Sequence, residues 1–290
     1  MSERTIESGT DTVSVTVRDR VGIITLTRPD RRNALHHEMY PAMVAALDEF
    51  ATADDVGAVV LTGQGKGFCA GGDVRDGRPR RADGTKPTID ERVESLGVDE
   101  TVILRLHEHP KVTIAAVNGA AVGAGMSLAL ACDLRVVDAS AKFIGGWVKL
   151  ALTGDFGGAW FLNRLVGAAK TLEIIVTNET ITADEALRLG MVNRVLPSDQ
   201  FADGWFALAR SIGHGPQGAI SAMKRNVIDA GTLPLADALA AEARRIVHSS
   251  TTADHKTAVR AWLAGTEPIF AAGSADPPAA GSETAVEPSI

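Results

Sequence analysis

Val112-Thr-Ile-Ala-Ala-Val-Asn-Gly-Ala-Ala-Val-Gly-Ala-Gly-Met-Ser-Leu-Ala-Leu-Ala-Cys132 decides how the rest of the chain is read. Val112 to Val117 is apolar or β-branched with little alternation, the pattern of a buried strand, and Asn118-Gly119 closes the run with turn formers. From Gly123 to Cys132 the residues are small and apolar, which predicts a small-residue helix. A strand that feeds a helix through a glycine turn is a unit of α/β architecture.

Outward from that stretch the same order recurs. Leu134 to Val137 reads as a further strand, Glu91 to His107 as a helix, and Val56 to Thr62 as a β-branched strand that ends in glycines. Met39 to Phe50 has helical spacing, and Thr12 to Val17 with Val21 to Thr27 reads as a hairpin turning on Arg18-Asp-Arg20. The alternation ends with a short strand, Val192 to Leu196, so an α/β core is expected over residues 13–199. Residues 200–268 show helical patterns alone: Phe201 to Ile212, Gln217 to Asp229, Pro234 to His248 and Thr252 to Leu263. Such a segment either layers on its own core or packs on another subunit. The polar residues 1–12 and the Ala/Gly/Ser/Pro/Glu-rich residues 269–290 are expected to be disordered.

With 290 residues, 45% of them hydrophobic, the chain can bury a sizeable core. No apolar run approaches the roughly 20 residues that span a bilayer, and Met1-Ser-Glu-Arg-Thr-Ile6 lacks a hydrophobic signal region, so a cytoplasmic protein is expected. Lys and Arg number 29 against 36 Asp and Glu, a formal charge of −7 that disfavours nucleic acid and anionic membrane as partners. An anionic ligand would need a local basic patch. The dense candidate is Arg75, Arg78, Arg80 and Arg81, followed by Lys86, with Asp76 and Asp83 interspersed; the same residues also suit a solvated loop. Cys69 and Cys132 have no partner spacing for a disulfide or zinc. His36, His37, His107 and His109 have no third ligand at metal spacing, so surface or capping roles are expected and no metal is assigned.

Two glycine-rich turns follow strands: Gly63-Gln-Gly-Lys-Gly-Phe-Cys-Ala-Gly-Gly-Asp73 and Asn118 to Ser127. Each lets the backbone approach a ligand closely. Neither ends in the Gly-Lys-Ser/Thr of a phosphate loop, and Gly123-Ala-Gly125 lacks the third glycine of a dinucleotide fingerprint. Free N–H groups at the start of the helix after Gly123 would favour negative charge on a ligand oxygen.

The segments Ile24-Thr-Leu-Thr-Arg-Pro-Asp-Arg-Arg-Asn-Ala-Leu35, Gly67-Phe-Cys-Ala-Gly-Gly-Asp73 and Ala115-Ala-Val-Asn-Gly-Ala-Ala-Val-Gly-Ala-Gly125 resemble the crotonase (enoyl-CoA hydratase/isomerase) superfamily. The resemblance continues through Ala131-Cys-Asp133, Ala141-Lys-Phe143, Arg164-Leu-Val-Gly167 and Ile181-Thr-Ala-Asp-Glu-Ala-Leu-Arg-Leu-Gly-Met-Val-Asn193, and covers roughly residues 13–265. It implies a spiral of repeated ββα units, a helical C-terminal region that builds trimers or dimers of trimers, and an acyl-coenzyme A substrate with no further cofactor. It also implies that the backbone N–H groups of Gly72 and Ala124 hold the thioester oxygen as negative charge develops on it, an interaction worth several kcal/mol in a dry site. By the same carry-over Ala34 and Ala70 line the coenzyme, with Gly71, Asp73 and Val74 beside them. Arg31, Arg32 or the 75–86 loop meets its phosphates. A lysine that the family places near the C-terminus for this purpose is absent from Trp262-Leu-Ala-Gly-Thr-Glu-Pro-Ile-Phe270.

Hydratases of the superfamily carry two glutamates, and here Ser127 and Trp147 stand at those positions. Without two carboxylates to hold a water, hydration has no evident acid and base. Ser127 reads as a small helix residue against the ligand. Asp155 remains, eight residues after Trp147; dienoyl-CoA isomerases place a catalytic acid at this position and 4-chlorobenzoyl-CoA dehalogenases a nucleophile, with a Trp eight residues earlier. An aspartate before a helix can equally be an N-cap. The dehalogenase histidine falls near Glu100, which is either a second carboxylate or part of a solvated helix face. The expected chemistry is double-bond isomerisation or a related proton transfer with Asp155. The alternatives are hydration, thioester hydrolysis or dehalogenation, or a catalytically silent acyl-CoA-binding subunit.

Overall fold

The computed structural model describes residues 3–75 and 85–272, which form two compact units, Met1–Gly213 and His214–Ile290. The first unit opens with β1 (Glu3–Ile6), β2 (Val13–Arg18) and β3 (Val21–Leu26). β2 and β3 pair antiparallel in register from Val13↔Leu26 to Arg18↔Val21. The expected hairpin turns on Asp19 and Arg20, whose φ angles of 50° and 66° match the turn that follows strand twist. β1 corrects the expectation of a disordered start. It pairs with β2 from Glu3↔Arg18 to Ile6↔Val15, and Arg4 ties it to Asp55 (2.7 Å) and Glu49 (2.9 Å). A polar edge strand held by ion pairs leaves no hydrophobic pattern to read.

Next come α1 (Met39–Thr52), β4 (Ala58–Gly63), β5 (Gly67–Cys69), α2 (Ile89–Asp99) and α3 (Thr101–His107). β6 (Val112–Val117), β7 (Ala120–Val122), α4 (Ala124–Ala131), β8 (Leu134–Asp138), β9 (Lys142–Ile144) and α5 (Gly158–Val166) follow. The unit finishes with α6 (Ala168–Thr177), β10 (Ile181–Thr182), α7 (Ala183–Arg188), β11 (Arg194–Leu196) and α8 (Phe201–Gly213). One sheet has the order β1-β2-β3-β4-β6-β8-β11, parallel from β3 onward, and a smaller one the order β10-β9-β7-β5. The pairs β4/β5, β6/β7 and β8/β9 each give one strand to each sheet. This is the ββα repeat. The strands of the small sheet are two or three residues long, too short to show a period in the sequence.

One face of the large sheet, with Ile24, Leu61, Ala115 and Val137, packs in the main core with Met43, Leu47 and Phe50 of α1, Leu106 of α3 and the apolar side chains of α4. Its other face, with Val21, Val60, Ile114 and Val136, packs with Phe201 and Ala209 of α8. Each large aliphatic side chain buried this way contributes about 1.5–3 kcal/mol. The helical segment expected over 200–268 therefore divides: α8 is a layer on its own sheet, whereas α9 (Gln217–Ala230), α10 (Leu235–Thr251) and α11 (Ala253–Ala264) form the second unit. Within that unit Arg245 bonds Asp229 and Asn226, each at 2.6 Å.

The single helix expected over Glu91–His107 is two. Thr88 caps α2 by accepting the Glu91 N–H, while Glu91 Oε2 accepts the Thr88 N–H at 2.7 Å, and the helices break at Glu100. Among the described residues no helix is long and apolar enough to cross a membrane.

Candidate active site

The turn after β5 is built from backbone that few residues could adopt. Gly71 has φ +84°, and a Cβ there would lie 2.8 Å from Val122 O and 3.6 Å from Ala124 N. Only glycine lets the two glycine-rich turns approach this closely. Leu35 N–H donates to Gly71 O (2.7 Å) and Asp73 N–H to Leu35 O (3.0 Å), a parallel bridge between Leu35 and Gly72. That pattern uses the groups on either side of Gly72, so its own N–H faces away from Leu35. Gly72 is exposed, with open space where a Cβ would stand.

Ala124 is the first residue of α4, so helix geometry gives its N–H no partner within the helix. Gly123, at φ +54°, places it there, and its N–H is held by Ile144 O at 3.0 Å. All eight residues of α4 are buried, and a Cβ on Gly125 would lie 2.4 Å from Cys69 O, which explains the small residues of this helix. Cys69 is fully buried, and burial pushes its thiol up to about 12, so it stays protonated and unreactive.

Asp155 is brought to this place by its neighbours. Trp147, 4% exposed in a short 3-10 turn, donates its indole N–H to Asp155 Oδ1 at 2.8 Å. The same indole nitrogen would stand 3.7 Å from a Cβ on Gly123, so the carboxylate is held next to the start of α4. The Asp155 side chain does not cap α5. That helix begins after Gly157 without a side-chain cap, and Gly158 N–H reaches the Asp155 carbonyl instead, at 3.1 Å. Ser127 is fully buried; its hydroxyl donates to Asp155 O at 3.1 Å, a partner within the protein. Glu100 is half-buried rather than on a solvated face, and its Oε1 accepts the Phe156 N–H at 2.8 Å.

Two residues of this neighbourhood escaped the sequence reading. Arg28 donates to Ala34 O (2.6 Å) and to Asp73 Oδ2 (3.0 Å), fastening the 28–35 segment to the glycine turn. Asn33 is fully buried at φ +54°; its amide donates to Gln64 O and Gly67 O, and its Oδ1 accepts the Arg28 N–H. The signal for both was present in Arg28-Pro-Asp-Arg-Arg-Asn33, where a polar run sits between two apolar ones. Ala34 is buried, Ala70 N–H bonds Arg32 O at 3.0 Å, and Arg31, Arg32, Val74 and Arg75 are exposed around the turn. Arg78, Arg80, Arg81, Asp76 and Asp83 lie outside the described residues.

The histidines divide. His109 is buried, its ring bonded to Leu47 O and Lys111 O, and His107 packs edge-on against Trp160 at 5.2 Å. His36 and His37, with Glu38, bring ligand-type atoms within 4.8 Å of one another, a third donor that the spacing argument had not counted. His36 Nδ1 lies 3.9 Å from Glu38 Oε2.

Comparison with known proteins places these features in company. The model of the enoyl-CoA hydratase/isomerase family matches residues 16–273. A probable enoyl-CoA hydratase of Rhodobacter capsulatus is 35% identical, covering 89% of this chain and 97% of the relative. The 1,2-epoxyphenylacetyl-CoA isomerase of Escherichia coli is 34% identical over 88% and 96%, and a 4-chlorobenzoyl coenzyme A dehalogenase of Arthrobacter 32% over 82% and 85%. The crystal structure of an enoyl-CoA hydratase from Polaromonas superposes with a TM-score of 0.82 at 30% identity, covering 89% of this chain and 99% of that one.

Proposed function

The chain belongs to the enoyl-CoA hydratase/isomerase family, and on that premise we propose that it moves a double bond, or makes a related proton transfer, in an acyl-CoA thioester with Asp155 as the base. The observation that carries this reading is the Trp147–Asp155 hydrogen bond, which fixes a carboxylate beside the start of α4. The thioester carbonyl accepts the N–H groups of Gly72 and Ala124. Asp155 then takes a proton from the carbon next to the carbonyl, and the electron pair runs into the carbonyl to give a dienolate. The protonated Asp155 returns the proton at the far end of the conjugated system, so the substrate leaves as its isomer and the carboxylate is regenerated. The two N–H groups lower the barrier because the oxygen carries most charge midway. No group beyond the coenzyme of the substrate enters this scheme, and Arg31, Arg32 and Arg75 are exposed cations near the turn available for its phosphates.

A second reading has support of its own. The Arthrobacter relative is a dehalogenase, and the Trp147–Asp155 spacing suits attack by the aspartate on a ring carbon as well as proton transfer. One experiment separates the readings: trans-3-hexenoyl-CoA, crotonyl-CoA and 4-chlorobenzoyl-CoA are offered to the unmodified protein and to Asp155→Asn. Isomerisation of the first, lost by at least about 100-fold in the variant, supports proton transfer. Chloride release from the third supports the nucleophile, and brisk hydration of crotonyl-CoA overturns both.

For the assembly we propose a homotrimer or a dimer of trimers working in the cytoplasm. The second unit exposes the large apolar side chains Val227, Leu235, Ile246, Val247, Trp262 and Leu263, which supports an interface there. Light scattering that gives a monomer at micromolar concentration overturns it.

A further inference from the structure

The peptide bond between Asp155 and Phe156 is gripped at both ends by side chains from elsewhere in the unit. From buried α4, Ser127 Oγ donates to its carbonyl at 3.1 Å; from the break between α2 and α3, Glu100 Oε1 accepts its N–H at 2.8 Å. The conformation so held is one the chain does not choose unaided. Phe156 has φ +51°, in the left-handed region that non-glycine residues rarely occupy, between Gly154 at φ +108° and Gly157 at φ +69°. The Phe156 amide belongs to no helix or strand ladder, and its acceptor is a side chain. The Phe156 ring is 2% exposed and stacks on Tyr40 with centroids 5.5 Å apart, which fixes the residue from a third direction.

We propose that Glu100 is a positioning residue: through the Phe156 amide it holds the left-handed turn that presents the Asp155 carboxylate to Trp147 and to the start of α4. The proposal rests on the reading of Asp155 as the group that carries the chemistry. An ionised carboxylate suits the task because it accepts and never donates, and a hydrogen bond to a charged acceptor is stronger than a neutral one. Glu100 also ends α2 and begins α3, so its backbone is set by two helices. A side chain anchored in this way restrains the turn instead of following it.

The test uses the full chain with Glu100→Ala and Glu100→Gln. Two quantities are measured: hydrogen exchange of the segment that contains the Phe156 amide, and turnover of trans-3-hexenoyl-CoA across pH. Glutamine keeps an acceptor in place, so exchange and kcat are expected within about threefold of the unmodified protein. Alanine is expected to speed exchange at least about 10-fold and lower kcat about 10-fold, with KM within about twofold. Where alanine does not fold, Glu100→Asp replaces it, keeping the charge one methylene too short to reach the amide, and is expected to fall between the other two. Alanine or aspartate variants that exchange and turn over like the unmodified protein overturn the proposal. Loss in glutamine as deep as in alanine, with a limb of the pH profile gone, also overturns it by making Glu100 a proton-transfer group. If the unmodified protein leaves trans-3-hexenoyl-CoA unchanged, the assigned reaction fails, while the exchange measurement alone still decides the role of Glu100.

Discussion

Arg28 and Asp73 form an ion pair at 3.0 Å with side chains only 14% and 6% exposed, and the second guanidinium nitrogen reaches Ala34 O. The pair spans the two segments that frame Gly72. Asp73→Asn removes a carboxylate partner from a shielded guanidinium, and breaking a buried pair costs up to about 3–5 kcal/mol. Urea unfolding is expected to show a loss toward the lower end of that range, because Arg28 keeps the Ala34 carbonyl. Arg28→Met combined with Asp73→Asn is expected to be more stable than Asp73→Asn alone, since the guanidinium that lost the carboxylate is then removed as well.

Gly71 and Gly72 are adjacent, yet their substitutions are expected to differ. Gly71→Ala places a Cβ 2.8 Å from Val122 O at φ +84°, which forces the two turns apart. The backbone conformation alone costs about 1–2 kcal/mol for a residue with a Cβ. Gly72 has no atom within reach of a Cβ, so Gly72→Ala is expected to leave the melting temperature unchanged and to weaken ester binding only by intruding on the thioester. Thermal melts and titration with a non-turning acyl-CoA separate the two effects.

Arg4 gives the polar strand β1 its hold. Its hydrogen bonds keep the Asp55 carboxyl below the usual carboxylate range. A carboxyl depressed in the folded state contributes stability that is present above its unfolded pKa, about 3.9, and is lost as pH falls through the folded value. Arg4→Ala is therefore expected to cost up to about 1 kcal/mol at neutral pH, the scale of an exposed pair. The difference from the unmodified protein is expected to shrink below about pH 4. Denaturant titrations at pH 7 and pH 3 check the sign.

These sites show what a sequence displays and what it withholds. Val112 to Val117 and Met39 to Phe50 were legible because burial of a strand or a helix face leaves a period in the residue types. Gly71 and Ala124 were legible because close backbone approach admits few residues, and resemblance then gave the turns a purpose. Glu100 was legible as a possible second carboxylate, but its bond to the Phe156 amide was not, since one carboxylate reaching one amide 56 positions away leaves no pattern. The hydrogen bond from the Ser127 hydroxyl to the Asp155 carbonyl was hidden in the same way, since the partner lies 28 positions on. Glu3 to Ile6 and the short strands of the small sheet are held by partners remote in sequence, which composition cannot show.

Trp147 supplies the last test, because its indole has two duties that substitution can separate. The ring fills space between Gly158 and Gly123, and its N–H holds Asp155 at 2.8 Å. Trp147→Phe keeps an aromatic ring but removes the donor. A carboxylate that loses a hydrogen bond to its ionised form is less favoured in that form, so the acid limb of turnover is expected to move to higher pH. Release of the carboxylate from its fixed orientation is expected to lower kcat about 10-fold at the plateau, a geometric loss distinct from the shift in titration. Part of the stability is also lost, since phenylalanine leaves a cavity beside Gly158; an added equivalent of a bound acyl-CoA should recover some of it by mass action. The discriminating measurement is the pH profile. A limb that stays in place while kcat falls leaves the indole acting through geometry alone, whereas a limb that moves upward shows its N–H acting on the group that titrates.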